Sequence, residues 1–368
     1  MTGLRCVCLW LIAGVALSAC DRPPTRIELE LVADGEWTIA DDADGRVLLR
    51  QQRTHNRSAR GRPAEPVVAV LRDSLESAEL QTLTLPAGAS VIEIVRATAR
   101  ADTFYFAGSG VSPFTRSPAD AHLYLFEHEN GIWVFKTPAS LNKLTLDDGL
   151  DSLRSLQREG EVILYWATAP MWSGAGEFIS FLTNRHGLGG RSAQGIWVVQ
   201  TRTGIQKDLL SPANASLHTD GVFGEEFVFS SSTEPGVHGV HPGTSATRRY
   251  SDGYLVGFHP AGKAMLVNAG ARHVLFRGEQ RDTLPAPPRG QIYTSHAHFS
   301  PTGERLAIFS TDQQGAYVLH VFDASMQRLS MPVPGGPSYG PRWISEESLL
   351  LAATRPREST RTYRAQLR

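Results

Sequence analysis

Four segments in the C-terminal half of the sequence share one pattern: an aromatic residue, a small or polar residue, a turn that usually contains glycine, and an apolar strand. They begin at Trp172, Phe258, Phe299 and Trp343. The last two intervals are 41 and 44 residues and the first is 86, so a degenerate copy is expected in the long interval, at 224–230. A period of about 43 residues predicts an all-β chain, a β-propeller built of four-stranded blades.

The copy that begins at Phe299 shows the physical basis of the pattern. Pro301 fixes one backbone angle, and Gly303 permits the positive φ of a tight turn, so the chain reverses before an apolar strand at 305–310. Further strand-like segments at 317–322 and 328–333 complete one predicted blade.

The number of blades follows from the strands that begin after such turns. We expect these second strands near residues 47, 104, 178, 227, 265, 306 and 349, which gives seven blades. The interval from 104 to 178 is long enough to hide another, so six and eight stay open. The last blade lacks a fourth strand, which residues 26–32 can supply, and this closes the ring. Residues 26–368 then form a single propeller domain.

Two segments, 299–303 and 172–176, are each followed by a strand and later by a further strand such as 196–200. This arrangement resembles the TolB-like (WD-repeat-like) β-propeller family. The resemblance covers about residues 165–368 and departs from the pattern at Gly174, Ala261 and Glu346. It implies a toroidal scaffold, commonly periplasmic in bacteria, that binds partners on its faces. It does not imply one activity.

The N-terminus has the features of a bacterial lipoprotein signal peptide. Arg5 precedes the apolar run 9–17, and Leu17-Ser18-Ala19-Cys20 resembles a lipobox. We predict that residues 1–19 are removed, that Cys20 is lipidated, and that 20–25 form a tether. The alternative is a transmembrane anchor, but the segment 4–19 falls below the roughly 17–25 residues that a spanning helix needs. The protein is therefore expected at the periplasmic face of a membrane, with inner or outer membrane left open.

Cysteine content and charge agree with an exported protein. All three cysteines lie in the first twenty residues, so the mature body can form no disulfide. The sequence has 36 Lys and Arg residues against 37 Asp and Glu, so it has no excess positive charge that would attract nucleic acid. The expected partners are the membrane, through Cys20, and envelope proteins.

One basic segment interrupts the balanced charge. It contains five arginines and no acidic residue, and the arginines are Arg50, Arg53, Arg57, Arg60 and Arg62. Such a run is usually a solvated loop between strands. Its functional alternative is contact with anionic lipid head groups or with an acidic partner.

Three histidines form the weak candidates for a metal site. His296 and His298 alternate along one strand and so face the same side, and His259 occupies the equivalent strand of the preceding blade. Imidazoles that hydrogen-bond to neighbouring blades are the alternative. No cofactor and no catalytic residue is predicted.

Two classes of function follow from these observations. The sequence favours a membrane-anchored, exported propeller scaffold that binds protein or envelope partners without catalysis. The alternative is a propeller-type enzyme, or a binder of a small ligand or metal, that uses the central channel. Fold supports neither by itself.

Overall fold

The computed structural model describes residues 24–43, 46–52, 68–71, 75–83, 92–97, 103–107, 114–128, 131–136, 140–145, 166–184, 194–212, 215–355 and 358–368. Within these ranges the chain forms β-strands and no α-helix. None of the described residues belongs to a helix that is long and apolar enough to cross a membrane. The prediction of an all-β chain is confirmed.

The strands of the N-terminal half form one terminal strand and two sheets. The chain starts with β1 (Ile27–Asp34). A six-stranded sheet follows, made of β2 (Glu36–Ala43), β3 (Arg46–Gln52), β4 (Val68–Leu71), β5 (Leu75–Leu83), β6 (Ile92–Ala97) and β7 (Thr103–Ala107). The next sheet has four strands, β8 (Thr115–Arg116), β9 (Tyr124–His128), β10 (Gly131–Phe135) and β11 (Asn142–Lys143).

Four sheets of the C-terminal half contain four strands each. The first is β12 (Ala167–Trp172), β13 (Phe178–Thr183), β14 (Gly195–Gln200) and β15 (Gln206–Leu210); the second is β16 (Leu217–Phe223), β17 (Glu226–Ser231), β18 (Val237–Val240) and β19 (Thr247–Ser251). The third is β20 (Tyr254–Phe258), β21 (Ala264–Asn268), β22 (His273–Arg277) and β23 (Gln280–Thr283); the fourth is β24 (Gln291–Phe299), β25 (Leu306–Asp312), β26 (Tyr317–Phe322) and β27 (Arg328–Pro332).

The last sheet contains both ends of the described chain. Its strands are β28 (Gly336–Pro337), β29 (Arg342–Ser345), β30 (Ser348–Thr354), β31 (Thr360–Leu367) and β1. Both β28 and β29 pair with β30, so its first strand is interrupted. As predicted for residues 26–32, β1 pairs antiparallel with β31 as an outer strand.

The described part of the chain thus contains seven sheets, five of them four-stranded meanders. Two details differ from the sequence prediction. The strand near residue 104 is not a second strand of a blade, because β5 pairs with both β4 and β6 and the sheet continues to β7. The long interval from 104 to 178 does contain a further sheet, β8 to β11, whose second strand is β9.

The second strands β13, β17, β21, β25 and β30 are buried on both faces, because their sheets each pack between two others. Met265 and Val267 of β21 pack with Phe223 and Val228 of the preceding sheet. Leu266, the residue between them, packs on the opposite side against the following sheet. Burial on both faces explains why these strands are continuous apolar runs rather than alternating ones.

The repeated phrase folds into the same hairpin turn in three sheets. The amide of Ser300 donates to the carbonyl of Arg305, and the amide of Gly303 donates to the carbonyl of Ser300. The same two bonds recur, five and three residues apart, at Ser173 and at His259. We call the end of the sheets that carries these turns, at 173–176, 259–262 and 300–303, the turn face.

Turns of neighbouring sheets also contact each other on the turn face. The amide of Gly224 donates to the carbonyl of Gly262 at 2.7 Å. A Cβ at Gly262 would lie 2.5 Å from the carbonyl oxygen of Gly224, so only glycine allows this approach. Between the β24–β27 sheet and the last sheet, the amide of Thr302 donates to the Glu346 carboxylate at 2.6 Å. The sheets are therefore joined by polar contacts as well as by apolar cores.

A buried polar network crosses all four strands of one sheet. His320, whose exposed fraction is 0%, lies on β26. Its Nε2 is 2.7 Å from Ser310 Oγ, and its Nδ1 is 2.8 Å from Ser330 Oγ. Ser310 in turn donates to Gln291 Oε1. The Ser310 hydroxyl proton is committed to Gln291, so the arrangement assigns a neutral His320 with its proton on Nε2. Burial lowers the pKa of His320 to about 4, and the charge of Arg328 adds to this.

Gly262 and Gly204 allow a test of the contact between turns. Both have nearly the same positive φ, 68° and 69°, but a Cβ at Gly204 would meet nothing within 4 Å. We expect Gly204→Ala to lose about 1–2 kcal/mol from backbone strain alone. Gly262→Ala should lose that amount and at least about 1 kcal/mol more, because Gly224 must move. Urea unfolding measures both, and equal losses would contradict the proposed role of the contact.

A second test concerns acid stability. The pKa of His320 falls from about 6.5 in the unfolded chain to about 4 in the folded one. Its contribution to stability is therefore complete above pH 6.5 and is lost as the pH falls toward 4. We expect the wild type to lose roughly 2–3 kcal/mol more than His320→Asn between pH 7 and pH 4.5 in urea unfolding. The same loss in both proteins would argue against a neutral, buried His320.

Candidate functional site

The first strands of successive sheets lie next to one another at the centre of the fold. In order, β12 contacts β16, β16 contacts β20, β20 contacts β24, and β24 contacts β29. A cavity of about 850 Å³ lies between them, with walls from β8, β16, β20, β24 and β29. Pro118, Pro260 and Pro301 also line it, so the cavity reaches the turn face. Such a volume suits a ligand of moderate size.

Irregular pairing of the first strands directs side chains into this cavity. The register between first and second strands shifts at Asp220 in β16 and at 294–296 in β24. Shifts also occur in β2, β12 and β20, and in β29 a shift follows the repeat aromatic Trp343. Bulges of this kind bend a strand and re-aim its side chains, and they are common beside functional sites.

Two positions of the repeat supply most of the polar wall. Three residues before the repeat aromatic stand Asp220 and His296, and one residue before it stand His298 and Arg342. All four residues line the cavity. The alternation of a strand places both positions on the same side, which faces the centre.

His298 and Arg342 form a pair between adjacent first strands. Arg342 Nη1 donates to His298 Nδ1 at 3.2 Å, which assigns the remaining ring proton to Nε2. Trp343 Nε1 donates to the backbone carbonyl of His298 at 2.9 Å and holds the two strands together. Burial lowers the pKa of His298 to about 3, and the charges of Arg342 and His296 add to this. The imidazole is therefore neutral at physiological pH, and Arg342 carries the charge of the pair.

The interruption of the last sheet's first strand supports this pair. A Cβ at Gly340 would lie 2.7 Å from His298 Nε2, so the glycine lets the backbone cover the ring. The hydroxyl of the preceding Tyr339 donates to the carbonyl of Trp37 at the start of the six-stranded sheet. Burial is also the main reason why the pKa of Tyr339 is raised. Residues 338–341 thus join the last sheet, the first large sheet and the cavity wall.

His259 lines the cavity but has a structural role. Its exposed fraction is 4%. Nε2 donates to the carbonyl of Pro301 in the next sheet at 2.9 Å, and Nδ1 accepts from the amide of Ala261 at 3.0 Å. Both ring nitrogens are occupied, as the sequence alternative of hydrogen-bonded imidazoles requires. Burial lowers its pKa, so the ring is neutral.

The remaining charged groups of the wall are Arg116 and Asp220. The guanidinium of Arg116 lies 5.1 Å from the centre of the Tyr124 ring, a cation–π distance. The pKa of Asp220 is raised by burial, while a hydrogen bond with Ser230 and the nearby His218 act in the opposite direction. The described wall thus contains two guanidinium groups and one carboxyl group, whose pKa is raised.

The other predicted site residues fall mostly outside the described part of the chain. This holds for Cys20 and for Arg53, Arg57, Arg60 and Arg62. Arg50 lies in β3, where its backbone pairs with Thr38 and Val68. The structure brings His259, His296 and His298 to one cavity, but among the described residues no group of three His, Cys, Asp or Glu side chains could hold a metal ion.

The three charged residues of the described cavity wall, Arg116, Asp220 and Arg342, were not predicted from the sequence. The repeat does contain a signal for two of them, because Asp220 corresponds to His296 and Arg342 corresponds to His298 when the aromatic residues are aligned. No such signal marks Arg116. It precedes Ser117 as Phe299 precedes Ser300, so it stands where that copy of the repeat has its aromatic residue.

Comparison with solved structures identifies the fold. An oligogalacturonate lyase in complex with manganese is similar at a TM-score of 0.52 and 10% identity, over 93% of this chain and 98% of that chain. The β-propeller domain of the Trilobed protease from Pyrococcus furiosus, described as having an open velcro topology, is similar at a TM-score of 0.51 and 8% identity, over 90% and 95% of the two chains. These similarities show a β-propeller fold and nothing further.

A TolB from Acinetobacter baumannii is also among the similar structures, at a TM-score of 0.36 and 11% identity, over 78% of this chain and 79% of that chain. This level of similarity does not distinguish TolB-like proteins from other propellers. No family model matches the sequence. A search of the curated proteins also finds no match.

Replacement of Arg342 tests the electrostatics of the pair. In Arg342→Met the nearby positive charge is gone and the bulk is retained, so we expect the pKa of His298 to rise from about 3. It should stay below the ordinary value of about 6.5, because burial is the larger cause. Nuclear magnetic resonance titration of the histidine ring measures this, with Arg202→Met, a turn variant, as control. An unchanged pKa would show that the pair is not coupled.

Proposed function

We propose that the protein is an exported, lipid-anchored β-propeller that binds an envelope partner without catalysis and holds an anionic group of that partner in its central cavity. The main observation behind the proposal is that two arginines, Arg116 and Arg342, line a cavity of about 850 Å³ that also contains one carboxyl group. The anionic group can belong to a carboxylate or a phosphate, since arginine recognises both.

Desolvation gives Arg342 a reason to bind an anion. Burial is the main cause that lowers the pKa of its guanidinium, which means that the charge has lost part of its hydration. Among the described residues, its hydrogen bond in the cavity goes to a neutral imidazole, which offers no opposite charge. A ligand carboxylate or phosphate would supply that charge, and charge-assisted hydrogen bonds are stronger than neutral ones.

The histidines support binding rather than acid–base chemistry. A general acid or base works best with a pKa near the working pH. His298 has a pKa of about 3, and the pKa of His259 is lowered while both of its nitrogens are bonded. These rings therefore act as neutral hydrogen-bonding groups that shape the wall.

The ring itself is proposed to contain seven blades, one for each sheet of the described part. Closure is proposed to come from β1, which pairs with β31. Apolar contacts support it, since Ile27 and Leu29 pack against the core between the last two sheets. Charges opposite each other, Glu30 with Arg364 and Asp34 with Arg361, also favour this register.

Export and anchoring are proposed from the sequence of residues 1–20. A basic start, a short apolar run and the Leu17-Ser18-Ala19-Cys20 phrase all support cleavage before Cys20 and its lipidation. The basic segment from Arg50 to Arg62 is a further proposed contact with lipid head groups or with an acidic partner.

Anion-dependent thermal stability tests the cavity. We expect citrate and inorganic phosphate to raise the Tm of the wild type relative to sodium chloride of equal ionic strength, because a ligand that binds only the folded state stabilises it. Arg342→Met and Arg116→Met should each weaken this binding by about tenfold or more, as expected from loss of a charge-assisted contact.

Arg202→Met is the matched control, because Arg202 is exposed in the turn between β14 and β15. It should retain the full response to both anions. The proposal is overturned if neither anion raises the Tm of the wild type, or if the response survives in both cavity variants.

A further inference from the structure

The position of the chain termini determines which face of the propeller a lipid anchor can hold against a membrane. The backbone amides of Thr25 and Arg26 both donate to the carbonyl of Arg368, at 2.6 Å and 3.0 Å. The amide of Leu367 donates to the carbonyl of Glu347 at 2.8 Å. Glu347 belongs to the turn between β29 and β30, which is the last sheet's counterpart of the turns at 173–176 and 300–303.

Both ends of the described chain therefore lie on the turn face. The strand order leads to the same result, because third strands such as β31 run toward the turn face, and β1 runs away from it. The cavity reaches this face as well, through Pro118, Pro260 and Pro301. The start of the described chain and the cavity opening are on one side of the disc.

Chain length then selects the orientation. Only four peptide steps separate Cys20 from Pro24, so a fully extended tether spans at most about 14 Å. The eight residues of β1 span about 26 Å from the turn face to the opposite face. A lipid on Cys20 is therefore too close to the turn face for the opposite face to rest on the bilayer.

Charge at the point of attachment favours the same arrangement. Arg26 and Arg368 both pair with Glu28, so two exposed guanidinium groups share one carboxylate. The exposed guanidinium groups of Arg26 and Arg368 lie next to the tether and can contact anionic lipid head groups.

We propose that the turn face lies against an anionic bilayer surface, so that the cavity opens toward the lipid head groups. This rests on the proposed lipid anchor but not on the identity of the cavity ligand. The partner of the turn face is the membrane surface itself, and a ligand reaches the cavity from the side of the membrane.

The mature chain lends itself to a direct test, since the body contains no cysteine after Cys20. A single cysteine is introduced by Glu279→Cys, in the exposed turn between β22 and β23 on the turn face, or by Gln313→Cys, in the exposed turn between β25 and β26 on the opposite face. Each is labelled with a fluorophore, and the lipidated protein is reconstituted into vesicles of phosphatidylcholine and phosphatidylglycerol that contain a nitroxide-labelled lipid.

We expect quenching of the label at position 279 to exceed that at position 313 at least twofold. Insertion of twelve Gly and Ser residues before Pro24 should reduce this difference, because the longer tether releases the orientation. Equal quenching at the two positions, stronger quenching at position 313, or no effect of the insertion would overturn the proposed orientation.

Failure of the anchor is distinguished by two measurements on the same samples. Mass spectrometry of the N-terminal peptide and vesicle flotation, with Cys20→Ala as control, report lipidation independently of orientation. An unlipidated chain that does not float would overturn the proposed anchor and with it this inference. A lipidated chain that floats with the wrong quenching pattern would overturn the orientation alone.

Discussion

The hairpin turns of neighbouring sheets contact one another, and these contacts determine how closely the sheets pack. A single sheet of this chain has apolar residues on both faces of its second strand and cannot bury them alone. The glycine carbonyl and amide contacts at Gly224 and Gly262, and the bond between His259 and Pro301, bring adjacent sheets close enough to do so. The turns contact one another on the turn face, and the first strands that lead into them lie side by side at the centre.

The cavity is a consequence of that packing rather than a separate addition. On β24, Phe299 enters the apolar core between two sheets, while His298, the residue before it, faces the centre. Fold and site are therefore encoded on alternating positions of the same strand. Bulges lie beside this wall, at Asp220 in β16 and at 294–296 in β24.

Burial determines the chemical character of the polar groups. The histidines at positions 259, 298 and 320 have lowered pKa values, chiefly because burial disfavours their charged form. They are hydrogen-bonded as neutral rings, which links sheets and strands without the cost of a buried charge. The positive charge of the wall is thereby left to the arginines, whose pKa is too high for burial of this degree to neutralise them. The result is a polar cavity whose described charges are carried by arginines and Asp220.

The all-β class, the period of the sheets and most second strands could be predicted from the sequence, since turn residues and apolar runs are local signals. The sequence also located His296 and His298 on a central strand, whereas the prediction of a strand at His259 was wrong, because this residue begins the turn after β20. Three features depend on tertiary contacts that local signals do not encode. One sheet continues from β5 to β6, and a separate sheet fills the interval from 104 to 178. His259 forms a hydrogen bond with the Pro301 carbonyl of the next sheet. Tertiary structure also decided that Arg342 meets His298 across 44 residues of chain, because this contact depends on how closely two sheets pack.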